Sequence, residues 1–197
     1  MGRDYKKSDT ELLIKNTARD LFFKEGKFGA TTQEIADAAK VNRTLINYYF
    51  RSRNNLFSII FQEAVEQEEI FTQEILYSDL PFKQKIENYI DRSFQRAKEF
   101  PYLESYIVSR LNEGHLYAKK EDWERFIERF KTEFEEEVRK GNIKEMEPIQ
   151  FIVNIASLIS FPFAARPLLQ TTLRISTEEF DKLISQRKEV IMKVLFK

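Results

Sequence analysis

Two glycines, one run of four polar residues and one three-residue turn cut the first sixty residues into short helical pieces. Ile14, Ala18, Leu21 and Phe22 recur at helical spacing up to Glu25, while Lys15, Arg19 and Lys24 face the other way. Gly26 and Gly29 stop that helix. Thr31-Thr32-Gln33-Glu34 then opens a second one as a capping box. The Thr31 hydroxyl accepts from the Glu34 amide, and the Glu34 carboxylate reaches back to the Thr31 amide. This helix runs over 32–39, Lys40-Val41-Asn42 forms a tight turn, and a third helix covers 43–50. A longer packing helix followed by two short ones across such a turn is a helix-turn-helix.

The remainder is predicted to be helical as well. Ser52 caps a fourth helix that Leu56, Ile60 and Ala64 carry to about Leu76, where Asp79-Leu80-Pro81 breaks it. Pro81 starts a fifth, with Ile86, Ile90, Phe94 and Ala97 on one face, and Pro101 ends it. Helices over 102–112, 122–140 and 148–165 follow, and Ser176-Thr177-Glu178-Glu179 opens the last, to Lys197. The expectation is an all-α protein of about nine helices. Residues 1–52 form the helix-turn-helix unit and residues 53–197 a helical body, joined by the fourth helix itself. With only five glycines and five prolines there is little turn chemistry for a many-stranded sheet.

Composition excludes several functions. There is no cysteine, so disulfides, cysteine zinc sites and thiol catalysis are out. The first ten residues are polar and show no secretory signal, and the apolar run 151–165 is short of the ~20 residues a bilayer needs. The expectation is a cytoplasmic protein with no membrane partner. Net charge is zero, yet residues 1–60 hold four more basic than acidic side chains and the rest four fewer. A basic first third on an acidic body suits a polyanion partner at the N-terminal end.

The third helix carries the chemistry. Asn42, Arg43, Thr44, Asn47 and Tyr48 give it an exposed set of hydrogen-bonding groups, while Leu45, Ile46, Tyr49 and Phe50 tie it to the core or the backbone. Arginine can chelate guanine, asparagine can pair with adenine, and threonine can meet a phosphate or a thymine methyl. From Ala18 to Leu56 the chain reads Ala18-x-x-Leu21-Phe22-x-x-x-Gly26, then Gly29-x-Thr31-Thr32-x-Glu34-Ile35-Ala36, Ala39-x-Val41, Arg43-Thr44-Leu45-Ile46-x-Tyr48-Tyr49-Phe50 and Arg53-x-x-Leu56. In this ordered combination the sequence resembles the TetR family of transcriptional regulators. The resemblance implies a DNA-binding surface of Thr31, Thr32, Asn42, Arg43, Thr44, Asn47, Tyr48, Tyr49 and Arg53. Thr32, Tyr49 and Arg53 would contact phosphates, and the third helix would read bases. Three positions depart from the family pattern. Lys40 stands for the usual turn glycine, Asn47 for a frequent tyrosine, and Lys27 for an aromatic whose place Phe28 takes.

The resemblance also implies a body that binds an effector and pairs with its copy. Helices 148–165 and 177–197 would form the homodimer interface through Phe151, Ile155, Leu158, Ile159, Phe180, Ile184, Arg187 and Ile191. An apolar or amphipathic small-molecule effector would sit among Tyr89, Phe94, Tyr102, Tyr106, Trp123, Phe126 and Phe130. The same aromatics also suit plain core packing. No cofactor, catalytic residue or metal ligand is predicted. The lone His115 follows Gly114 in a loop, and there is no phosphate-binding glycine loop, His-Glu metal motif or nucleophile elbow. The function expected is a ligand-responsive repressor binding a palindromic operator as a homodimer. The motif leaves the sign of regulation open. The alternative is a helical protein–protein adaptor without specific DNA binding.

Overall fold

The computed structural model describes the backbone of residues 2–112 and 120–197, and the side chains of residues 9–75, 77–109 and 124–197. His115 and the Trp123 side chain fall outside the described residues. Ten α-helices are present among the described residues: α1 Gly2–Arg19, α2 Thr32–Ala39, α3 Arg43–Phe50, α4 Arg53–Leu76, α5 Phe82–Glu99, α6 Leu103–Asn112, α7 Lys120–Arg139, α8 Pro148–Ala164, α9 Arg166–Leu173 and α10 Thr177–Leu195. The only strand-like pairing described is a single bridge between Ile143 and Phe196.

One helix more is found than expected. Pro162 lies buried inside α8 without ending it, and the chain breaks instead at Ala165. Pro167 then falls at the first turn of α9, where a proline costs no hydrogen bond. α1 passes directly into a π-helical turn over Asp20–Lys24, which rotates Leu21, Phe22 and Phe23 together into the core. Gly26 ends this segment at φ +69. A side chain there would also strike the Tyr102 ring, 3.0 Å from the Cβ position. Both capping boxes form, Thr31 with Glu34 and Ser176 with Glu179.

Two apolar clusters hold the chain. The first takes Ile14, Ala18, Leu21, Phe22 and Phe23 from the first helical segment, Ile35, Ala36 and Ala39 from α2, and Ile46 and Phe50 from α3. Each fully buried phenylalanine contributes about 1.5–3 kcal/mol. This cluster does not stop at residue 52. Leu56, Phe57, Ile60 and Phe61 on α4 and Leu103 on α6 belong to it. The second cluster joins α5, α7, α8 and α10 around Phe82, Phe134, Phe151 and Phe180.

The expected dimer residues are turned inward. Phe151, Ile155 and Ile159 on α8 and Phe180, Ile184 and Ile191 on α10 are buried in the protomer's own second cluster. Leu158 and Arg187 lie half-buried between the two helices, where Arg187 Nε donates to the Leu158 carbonyl at 3.4 Å. The apolar side chains left bare are Ile149, Val153 and Phe161 on α8 and Leu183, Val190 and Val194 on α10, between 39% and 55% exposed. α8 is apolar nearly all round, so its sequence does not tell the inner face from the outer one.

Candidate nucleic-acid interface

The two short helices are locked by local hydrogen bonds before any packing is considered. Thr31 caps α2, its amide donating to Glu34 Oε2 at 2.7 Å and its hydroxyl accepting from the Glu34 amide at 3.2 Å. The Thr31 amide, and after it the Thr31 hydroxyl, hold the Glu34 carboxyl below the usual carboxylate range. Lys40 caps the other end of α2 in the left-handed region, φ 54 and ψ 42, which costs a non-glycine residue about 1 kcal/mol. The turn therefore keeps the geometry that a glycine would give it. Asn42 caps α3, its Oδ1 accepting from the Thr44 amide at 2.9 Å and the Thr44 hydroxyl at 2.7 Å.

α3 has two distinct faces. Ile46 and Phe50 are buried, and Leu45 and Tyr49 pack half-buried against the same cluster. Asn42, Arg43, Thr44, Asn47 and Tyr48 are exposed, and Tyr48 reaches 65%. Positions 43, 44, 47 and 48 repeat at helical spacing and so share one side. Arg43 Nε donates to Thr32 Oγ1 at 3.0 Å, tying the start of α3 back to the start of α2. The Tyr48 ring stands edge-on to Tyr49, with centroids 5.1 Å apart. Of the nine predicted DNA-facing residues, Thr31, Asn42, Arg43, Thr44, Asn47 and Tyr48 are exposed on α2, α3 and their caps, while Thr32 and Tyr49 are half-buried.

Arg53 stands apart from them. Its Nε donates to the Ala30 carbonyl at 3.1 Å and its Nη1 to Asn54 Oδ1 at 3.2 Å. The guanidinium lies over the Phe22 and Phe57 rings, 5.5 and 5.3 Å from their centroids. It clamps α4 to the loop before α2. Sequence reasoning missed the neighbouring Arg51, which is exposed with φ 63. Its signal was a non-glycine residue between the end of one helix and the cap of the next.

The residues predicted for an effector pocket divide between the two clusters. Tyr106 packs in the first, with ring centroids 5.1 Å from Phe28, 4.8 Å from Phe57 and 5.0 Å from Phe61. Tyr102 covers Gly26. Tyr89, Phe94, Phe126 and Phe130 belong to the second, where Phe126, Phe130, Tyr77 and Phe82 line a small crevice with Arg129 and Glu133. Between these groups lies a charged link. Glu68 on α4 meets Arg96 on α5 at 2.6 Å, and Arg96 also meets Glu104 on α6 at 3.4 Å. Burial pushes the Glu68 carboxyl up against the pull of Arg96. Burial likewise pushes the neighbouring Tyr89 phenol up to about 12. Among the described residues, no group of three acidic or histidine side chains is placed to hold a metal ion. No single described helix is long and apolar enough to cross a membrane.

The sequence profile of bacterial regulatory proteins of the tetR family matches residues 14–59, the span that contains this surface. Among solved structures, a TetR/AcrR-family transcriptional regulator from Thermobifida fusca YX-ER1 is similar at 15% identity and a TM-score of 0.62, over 93% of this chain and 97% of that one. A TetR-family transcription regulator from Marinobacter aquaeolei VT8 is similar at 12% identity and a TM-score of 0.57, over 100% of both chains. A TetR-family transcriptional regulator from Haemophilus influenzae RD gives 15% identity and a TM-score of 0.51, over 98% and 99%. No curated protein sequence matches significantly. At such identities the structures speak for the fold, and the profile match speaks for the helix-turn-helix. Together they give residues 14–59 the helix-turn-helix of tetR-family bacterial regulatory proteins, on a chain that shares the fold of those structures over nearly its whole length, and they support a DNA-binding regulator.

Proposed function

We propose that the protein is a ligand-responsive repressor that binds a palindromic operator as a homodimer in the cytoplasm. The observation that carries this is the two-faced α3: Ile46 and Phe50 fix it from inside, while Asn42, Arg43, Thr44, Asn47 and Tyr48 stand outside. In this reading α3 lies in the major groove. Arg43, Asn47 and Tyr48 face base edges, and Thr32 and Tyr49 face phosphates. Thr31 serves the groove through its cap on α2. Dimerisation uses the bare stripe of Ile149 and Val153 on α8 and Leu183, Val190 and Val194 on α10. Two such protomers present their recognition helices to half-sites about 34 Å apart, or a multiple of that, on one side of the duplex.

Effector binding belongs to the body, among the aromatics of α5 and α7. An effector acts only by favouring one of two arrangements of the recognition helices. The route to them is short, because α4 carries residues of the first cluster at one end and Glu68, bonded to α5, further along. The test is selection of duplexes from a random pool with the full chain, followed by affinity against salt for the winner and a scrambled control. A palindromic winner, a steep salt slope and a large ratio between the two duplexes are expected. Enrichment of no duplex would overturn the proposal in favour of an adaptor.

A further inference from the structure

We propose that Arg51, and not Arg53, supplies the cation that meets the DNA backbone where α3 joins α4. This assignment rests on the reading that α3 enters the major groove. Resemblance assigns the charge to Arg53, but that guanidinium is engaged with Ala30 and Asn54 and lies over Phe22 and Phe57. Its remaining nitrogen, Nη2, is shut off from solvent. Turning the group outward would vacate the aromatic faces and release the Ala30 carbonyl. Arg51 is exposed, and its side chain makes no hydrogen bond or ion pair with any described residue.

Position supports the same assignment. Arg51 follows Phe50, so it stands at the opposite end of α3 from Asn42 and Arg43. A helix of eight residues is about 12 Å long. The major groove is about 12 Å wide. If the first turn of α3 reads bases, its far end stands at the rim of the groove, where the phosphates run. The backbone adds a further reason. Arg51 adopts φ 63, a conformation that glycine holds without penalty and a side chain does not. An arginine kept there at a cost offers what glycine lacks, a charge on a long arm.

The experiment compares full-length wild type, Arg51→Gly and Arg51→Lys on the selected duplex and on its scrambled control, across a salt series, together with thermal unfolding. Arg51→Gly is expected to lower affinity for both duplexes by the same factor. For a two-fold complex its salt slope should be shallower by about 2, one phosphate per protomer. Its thermal midpoint should be no lower than wild type, because the strained φ is relieved. Arg51→Lys should keep the wild-type slope. A wild-type slope in Arg51→Gly overturns the assignment while leaving the DNA reading intact. So does a loss in Arg51→Lys equal to that in Arg51→Gly, which would mark a structural role. If wild type itself enriches no duplex, the DNA reading falls and this assignment falls with it.

Discussion

The ring of Tyr106, on α6, lies against Phe28, with centroids 5.1 Å apart and ring planes inclined by 26°. Phe28 sits in the loop before α2, so a side chain of the body completes the core of the helix-turn-helix unit. The Tyr102 amide adds a backbone bond to the Phe23 carbonyl at 3.1 Å. Tyr106 is half-buried, so removing the ring by Tyr106→Ala should destabilise the chain by less than the ~3–5 kcal/mol that a fully buried aromatic costs. Because the contact spans both parts, the variant should also separate a single unfolding transition into two. Urea titration followed by both tyrosine fluorescence and far-UV circular dichroism would show it. Coincident transitions in the variant would mean that the coupling between the two parts does not rest on this ring.

The bare stripe on α8 and α10 makes a prediction that the inward residues do not. Val153→Glu and Val190→Glu each place a charge on a face that is roughly half exposed in the protomer. They should leave helicity intact and shift the assembly to monomer. Phe151→Glu, by contrast, puts a charge among fully buried rings and should abolish folding. Sedimentation velocity with circular dichroism separates the cases. A dimer that survives both valine substitutions would place the interface elsewhere.

Much of this was legible in the sequence, and what escaped has a physical reason. The caps at Thr31, Ser52 and Ser176 are local, since each is a side chain bonding an amide three residues on, and the Asn42 cap, read from the sequence only as part of a turn, is of the same kind. Local chemistry places helix starts, and with them the exposed side of α3. The face that α8 buries is not local, because an all-apolar helix has no polar side to mark its outside. The inward turn of Arg53 depends on Phe22 and Phe57, which are distant or on the next helical turn, and on the carbonyl of Ala30. Likewise α9 was hidden because Pro167 reads equally as a stop and as the first turn of a new helix.

The link between α4, α5 and α6 should show itself in the pH dependence of stability. Burial raises the Glu68 carboxyl above its usual value. Between its unfolded and folded values the native state therefore binds more proton than the unfolded chain does. Its stabilising contribution is fully present below the unfolded value and is lost as pH rises through the folded one. Glu34 and Glu179 run the other way. Their caps lower them, so their contributions are present above the unfolded value and are lost as pH falls. Glu68→Gln removes only the first effect. The stability of wild type relative to Glu68→Gln should decline from pH 4 towards pH 7 in a series of urea titrations. A difference that grows with pH would show that Arg96, 2.6 Å away, outweighs desolvation at this site.

Lys40 and Arg174 are both held in the left-handed region, each at φ 54, in helix C-caps far apart in the chain. Both are exposed, and the backbone bonds at each cap, from Lys40 to the Ala36 and Asp37 carbonyls and from Arg174 to the Gln170 carbonyl, need no side chain. Lys40→Gly and Arg174→Gly should therefore each raise stability by about 1 kcal/mol, the cost a side chain incurs in that conformation. For a chain of this length each should raise the thermal midpoint by about 2–4 °C. The two effects should add in the double variant, since the sites share no partner. Differential scanning calorimetry of the four proteins measures this directly. An unchanged or lowered midpoint in Lys40→Gly would mean that the lysine stem covers enough of the turn between α2 and α3 to offset its backbone strain.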